Sequence, residues 1–162
     1  MTMVVLAWVI AIPLLGALTG ARSMTPMAIL CWFSYAGHLE VHRTWPFWTT
    51  KLVTAIIFSV LAVGELIGDK LPATPNRTSP VPLIARIVFG GLVGAIAATG
   101  LHGSVIEGAF LGSISAVVGA FLGFHLRHHL VTVEGAHDLP VALAEDVIVI
   151  GLSVLAMGII TG

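Results

Sequence analysis

Charged residues that interrupt apolar segments carry the most specific chemistry in this sequence. Glu65 and Asp69 lie four residues apart near the end of one apolar segment, and Arg86 lies near the start of the next. Glu145 and Asp146 lie near the start of another. An unpaired charge within hydrocarbon costs at least about 2.5–3.5 kcal/mol, so such side chains usually pair or line a cavity. The pattern predicts a polar pocket, open to one side of a membrane, for a proton, a small cation or a polar head group.

Individual roles within this pocket follow from the residue types. Glu65 is predicted to be the carboxylate that changes protonation, and Arg86 is predicted to hold it. Arg22 and Arg77 are predicted to lie at the mouth of the pocket. The alternative interpretation is structural, because ion pairs and snorkelling side chains near an interface also fix the register of helices.

The break after the first apolar segment offers a second kind of site. Arg22 and Ser23 are followed by Thr25 and Pro26, and a proline suits the start of a helix. The N-terminus of a helix beside an arginine favours an anion such as a phosphate or a carboxylate. Capping of the helix by Ser23 or Thr25 explains the same residues without a ligand.

Histidines give a third signal, for a metal ion. The candidate ligands are His125, His128, His129 and His137. They do not form a complete ligand set with a known metal-binding spacing. The sequence also has no nucleotide-binding, nucleophile or metalloprotease motif, so we expect no cofactor, and nothing in the sequence supports catalysis. The net charge of −1 gives no argument for nucleic acid as a partner.

Membrane-spanning helices are predicted to position all of these groups. Hydrophobic residues make up 57% of the chain and charged residues 9%, and the mean hydropathy is +1.05. A soluble domain of this size could not bury so much apolar surface. We therefore predict an all-α, polytopic membrane protein with a single transmembrane domain over residues 1–162. Its apolar segments cover about 3–19, 24–37, 50–67, 81–101, 104–125 and 140–161.

The order of the segments predicts a topology. The second segment, 24–37, is short enough to be a half-helix, and residues 1–70 and 81–162 form two halves joined by a Pro/Thr-rich loop at 71–80. Three spans followed by three would form an inverted repeat, as in many transporters. Six spans place both termini on one side, and most basic residues then lie on the other: Arg22, Lys70, Arg77, Arg86 and Arg127. The positive-inside rule assigns that side to the cytoplasm and both termini to the outside of the inner membrane.

Small residues recur at every fourth position in several segments. Such stripes allow helices in lipid to approach each other closely. They predict packing seams within the chain or between subunits of a homo-oligomer. The pairs are Gly16/Gly20, Gly64/Gly68, Gly90/Gly94, Gly108/Gly112 and Gly119/Gly123.

Two stretches of the sequence resemble a known family. Residues 20–26 (GARSMTP) and 64–78 (GELIGDKLPATPNRT) are similar to a bacterial integral-membrane family of unknown function, domain of unknown function four-one-two-six. The resemblance covers most of the chain. It implies a bacterial inner-membrane protein and no particular activity. The matching positions are Arg22, Glu65, Asp69, Lys70, Pro72 and Arg77.

Two functional hypotheses follow from these patterns. The first is a small transporter-like or channel-like protein, in which Glu65→Gln abolishes activity while the protein still inserts into the membrane. The second is a structural or partner-binding membrane subunit, in which glycine seams bind a larger protein and the charges only fix geometry. Handling of a metal ion by the histidines is a third hypothesis.

Overall fold

The computed structural model describes residues 2–69, 78–135 and 137–162. Within these ranges the chain contains helices and no strand, which confirms the predicted all-α fold. The helices are α1 (Thr2–Leu6, Ala7–Ala11 and Ile12–Ala21, which are continuous), α2 (Met24–Tyr35), α3 (Leu52–Gly68), α4 (Pro80–Gly100), α5 (Val105–His128, continued by His129–Val133) and α6 (Asp138–Thr161). Most of the predicted Pro/Thr-rich loop lies outside the described residues.

Length and hydropathy divide these helices into two groups. Among the described residues, four helices are long and apolar enough to cross a membrane: Val4–Ala21, Pro80–Gly100, Val105–Val133 and Asp138–Thr161. Helix α3 is apolar with 17 residues, and α2 has 12 residues. At 1.5 Å per residue, α2 is about 18 Å long, which is shorter than the hydrocarbon core. The chain is therefore a polytopic helical membrane protein, and its second segment is a short helix.

Alternating helix directions give the bundle two ends. We call one of them the charged end. It is the end at which α1, α3 and α5 finish and at which α2, α4 and α6 begin. At the opposite end, the segment between α2 and α3 buries Leu39, Val41 and Thr49. The indole Nε1 of Trp45, in the same segment, donates a hydrogen bond of 3.0 Å to Thr99 Oγ1 on α4. This segment therefore covers the part of the bundle that the short α2 does not reach.

Helix α1 widens into a π-helical turn over Ala7–Ala11. Pro13 follows this turn, and a proline has no backbone N–H and clashes with the carbonyl four residues before it. A π-helical turn is one of the usual ways in which a helix accommodates such a defect. The π-helical turn is therefore the form that the irregularity before Pro13 takes.

Helix α5 packs against α1 and α4 along the predicted glycine seams. A Cβ atom at Gly94 of α4 would collide with the carbonyl oxygen of Gly108 on α5. A Cβ atom at Gly20 of α1 would likewise collide with the carbonyl oxygen of Ala116 on α5. Close van der Waals packing of this kind is a main stabilising term between helices in lipid. These seams therefore hold one chain together.

Helix α5 is longer than the hydrophobic pattern predicts. The helix continues to His128 and then, as a π-helical turn, to Val133. The predicted boundary of this segment at residue 125 is therefore wrong. Polar side chains such as Arg127 lie on a helix that extends past the apolar segment. Consequently Arg127 is held on a helix at the charged end.

Candidate functional site

Arg22 lies at the centre of a cluster of charged side chains at the charged end. It occupies the extended break between α1 and α2, and its side chain is 0% exposed. Its Nη1 lies 2.6 Å from Asp69 Oδ2, just after α3, and its Nη2 lies 2.6 Å from Asp146 Oδ1 on α6. One buried guanidinium therefore joins the α1–α2 break to two other helices.

Asp69 extends this cluster toward the surface. Its Oδ2 also lies 2.8 Å from Arg127 Nη1 on α5. The Nε and Nη2 atoms of Arg127 donate hydrogen bonds of 2.8 Å to the two carboxylate oxygens of Asp138. The Asp138 side chain is 57% exposed. Alternating charges thus run from the interior to the surface, in the order Asp146, Arg22, Asp69, Arg127 and Asp138.

A second pair of charges caps the two helix ends at the break. Glu65 accepts hydrogen bonds of 2.8 Å from the backbone N–H groups of Ser23 and Met24, at the start of α2. Arg86 Nη1 donates hydrogen bonds of 2.6 Å to the carbonyl oxygens of Gly20 and Ala21, at the end of α1. Helix ends leave such backbone groups without partners inside the helix. Here side chains from α3 and α4 satisfy them.

The two capping groups also face each other. Arg86 Nη2 lies 3.8 Å from Glu65 Oε1, so the pair predicted from the sequence is present in the structure. The predicted anion at the start of α2 is the Glu65 carboxylate itself. The prediction that the Ser23 side chain caps α2 is wrong, because this side chain makes no capping hydrogen bond.

The electrostatics of the cluster keep Arg22 charged. Burial alone would lower the pKa of the Arg22 guanidinium, but the carboxylates of Asp69, Glu145 and Asp146 raise the pKa above its ordinary value. Breaking a buried ion pair by removing one partner leaves an uncompensated charge and is strongly destabilising. Each charge in the cluster is therefore stabilised only while its partners are present.

Glu145 and Arg127 adjoin a cavity of about 250 Å³ between α1, α5 and α6. The rest of its lining is apolar: Leu18, Ala21, Gly119, Gly123, Leu126, Leu130, Val141, Ala144, Ile148 and Val149. The cavity beside the charges is thus an apolar groove with charged groups at its edge. The ion pairs themselves occupy the place where the sequence predicted an open polar pocket.

The remaining predicted site residues differ in outcome. Arg22 lies at the centre of the cluster and not at its mouth, because α3 and α6 extend past the break that carries it. Arg77 lies outside the described residues. Arg127 and Asp138 belong to the cluster but were not among the predicted site residues. Their opposite charges, on either side of a short connection, were the only sequence signal of this pairing. The sequence pattern placed both between the apolar segments 104–125 and 140–161.

The candidate metal ligands do not come together. Among the described residues, no three His, Cys, Asp or Glu side chains are arranged to hold a metal ion. His125 contacts the Phe121 carbonyl oxygen at 2.8 Å, and His128 stacks on Phe124. A metal site at these histidines, including His137, stays a prediction that these contacts do not support.

Comparison with known proteins places the chain in one family. The family model described as Domain of unknown function (DUF4126) matches residues 9–159, which confirms the resemblance inferred from 20–26 and 64–78. That description assigns no activity. No curated protein and no solved structure matches the chain significantly.

Proposed function

We propose that this chain, which belongs to the family described as Domain of unknown function (DUF4126), is a small transporter-like membrane protein. Its buried charge cluster would close the charged end of the bundle. Opening would separate α3 and α6 from the break between α1 and α2. The solute would then enter from this end.

One observation carries this proposal. Arg22 is fully buried and holds carboxylates from two other elements, Asp69 and Asp146. Replacing a buried ion pair by apolar side chains is often neutral or stabilising, so a permanent join does not require charges. A charged side chain released from one ion pair can be taken up by another charged group, including that of a solute. An arrangement that exchanges partners suits a closure that opens.

A polar head group fits this site better than a bare proton or cation. Both signs of charge lie side by side at the cluster, and the cation position between Asp69 and Asp146 is already filled by Arg22. The apolar groove of about 250 Å³ begins at the same place. A solute with a charged head and an apolar body would match both surfaces.

The single cysteine provides a test of opening. Cys31 is fully buried and lies seven residues after the start of α2, about 10 Å into the bundle. Hydrogen bonds to charged groups contribute about 1.5–3 kcal/mol, and 1.4 kcal/mol is a factor of ten in an equilibrium. Asp69→Asn should therefore raise the rate at which a membrane-impermeant maleimide labels Cys31 by about tenfold or more. Labelling from the opposite side of the membrane should stay slow.

The control for this test is Arg43→Gln, an exposed charge at the opposite end. It should label as slowly as the wild type. If Asp69→Asn folds but labels Cys31 at the wild-type rate, the cluster does not close the bundle and the proposal fails.

A structural or partner-binding subunit is the second candidate. It is favoured by Gly64 and Gly68 of α3, where an added Cβ would have no described atom within 4 Å. Gly64 is exposed and faces away from the seams that hold the chain together, so this position remains available to another chain. Gly64→Leu should release a stoichiometric partner, or a second copy, in a detergent pull-down if this candidate is correct. An unchanged monomer in both proteins would reject it.

We also propose the orientation that the basic residues indicate. The charged end would face the cytoplasm of a bacterial inner membrane, and both termini would lie outside. Alkaline phosphatase fused after Gly162 should then be active, and an inactive fusion would reverse the orientation. The inverted repeat stays a prediction: α5 packs on α1 and α4, whereas α2, its counterpart, packs mainly on α3.

A further inference from the structure

The start of α2 is an anion site that holds a carboxylate from another helix. Both oxygens of Glu65 accept backbone N–H groups, from Ser23 and Met24, at 2.8 Å. Arg86 lies 3.8 Å away from the same carboxylate. Unpaired N–H groups and the helix dipole make a helix N-terminus favourable for phosphate as well as carboxylate. Glu65 reaches this position from more than 40 residues away along the chain.

Two donors at this site are not used by Glu65. The Thr25 side chain is on the first turn of α2, is 4% exposed, and has no hydrogen-bond partner for Oγ1 among the described residues. Side chains of a helix lean toward its N-terminus, which directs Thr25 toward the end that Glu65 occupies. Arg22 Nε, at the adjoining break, is also buried without a partner in the described parts of the chain. In a membrane, such groups find no water to satisfy them.

The Glu65 carboxylate leaves part of this set of donors unused. It offers two oxygens, and both already accept the N–H groups of Ser23 and Met24. A phosphate carries additional oxygens in tetrahedral directions and forms strong charge-assisted hydrogen bonds with guanidinium groups. The unused hydroxyl of Thr25 and the Nε of Arg22 are the kinds of donor that those additional oxygens accept from.

We propose that the start of α2 is a phosphate-binding site and that Glu65 occupies it as an internal competitor until a phosphate displaces it. The inference rests on the proposed function and deepens it, because it names the chemistry of the head group. The phosphate belongs either to a lipid head group or to a free, soluble phosphate. Displaced Glu65 would carry α3 away from the break, which couples binding to opening.

The test uses the purified full-length protein in detergent and three probes. These are inorganic phosphate, a short-chain phosphatidic acid, and the matching uncharged diacylglycerol. Binding is measured by calorimetry for the wild type, Glu65→Gln and Thr25→Val. Glu65→Gln removes the charge of the competitor and should bind the phosphate probes at least tenfold more tightly than the wild type. Glu107→Gln, an acid at the opposite end, is the matched control and should bind as the wild type does.

Thr25→Val keeps the test decisive if Glu65→Gln does not fold. It removes a buried hydroxyl without a described partner, so it should be at least as stable as the wild type. Its phosphate affinity should fall about tenfold. Equal affinity in Thr25→Val and the wild type would overturn the proposal.

The probes also separate the two sources of phosphate. Tight binding of phosphatidic acid alone identifies a lipid head group, and binding of both phosphate probes identifies the phosphate itself. Binding of neither probe, by folded wild type and folded Glu65→Gln, would overturn the site. Phosphate binding without any effect of Asp69→Asn on Cys31 would leave this site standing and reject only the proposed opening.

Discussion

At the charged end, Arg22 is fully buried between Asp69 and Asp146, whereas at the opposite end Glu40 and His102 lie 3.4 Å apart with side chains 79% and 73% exposed. Water screens the exposed pair, and such pairs contribute about 0–1 kcal/mol. The buried set cannot lose one member without leaving a charge in a medium of low dielectric constant. Neighbouring acidic and basic side chains therefore contribute very differently to stability at the two ends.

The two ends are also sealed differently. Apolar residues such as Leu39 and Val41 and the hydrogen bond from Trp45 to Thr99 close the opposite end. Buried ion pairs lie at the charged end. In the proposed function, the opposite end stays fixed and the charged end opens.

The largest expected effect comes from removing the central arginine. Arg22→Gln should lower the free energy of unfolding by about 3–5 kcal/mol, because it leaves Asp69 and Asp146 without their shared cation. The matched change at the opposite end, Arg43→Gln, should stay within about 0.5 kcal/mol, since Arg43 is exposed. Denaturant unfolding in detergent micelles measures both. Equal losses in the two variants would remove the distinction between the ends.

A double-mutant cycle measures the coupling of one pair at each end. Arg22→Gln combined with Asp146→Asn should give a coupling energy of about 1–3 kcal/mol, since these groups are in direct contact. Glu40→Gln combined with His102→Gln should give about 0.5 kcal/mol or less, because both side chains are exposed. A coupling below 0.5 kcal/mol for the buried pair would contradict the central place of Arg22.

The smallest effect should come from Asp138, the most exposed residue of the charge cluster. Asp138→Asn removes a partner of Arg127 but leaves Asp69 in place, and Asp138 is 57% exposed. We expect a loss of about 1 kcal/mol or less in the free energy of unfolding. Asp146→Asn should cost clearly more in the same measurement. A loss as large at Asp138 as at Asp146 would mean that burial does not set the energetics of the cluster.

The sequence predicted the helices better than it predicted the partners of the charged side chains. Apart from the end of α5, apolar segments marked each helix to within a few residues, because lipid demands continuous apolar helices. Glu65 and Asp69 were correctly placed near the end of one helix, but their partners depend on the order in which helices pack. Glu65 binds the start of α2, and Asp69 binds Arg22 and Arg127. A linear pattern carries no information on that order.

Arg22 shows a second limit of the sequence. A short polar break between two apolar segments normally marks the surface of a membrane protein, so Arg22 was predicted at a mouth. The depth of a break depends on the lengths of its neighbours. Helix α6 begins at Asp138, eight residues before Asp146, so the partner of Arg22 lies about 12 Å inside that helix.

The most direct test of the proposed closure is a pair of distances, one at each end of the bundle. Spin labels are attached in a Cys31→Ser background at Ile67 and Leu139 for the charged end, which are 61% and 56% exposed. Leu52 and Leu155, 42% and 56% exposed, serve for the opposite end. Both pairs join α3 to α6. Pulsed electron resonance gives the distribution of each distance, with and without Asp69→Asn.

When the charge cluster is intact, we expect a single distance for each pair of spin labels. Asp69→Asn should add a second, longer distance between Ile67 and Leu139 and leave the Leu52–Leu155 distance unchanged. A single, unchanged distance between Ile67 and Leu139 in the folded Asp69→Asn protein would contradict the claim that the buried charges form a closure that opens.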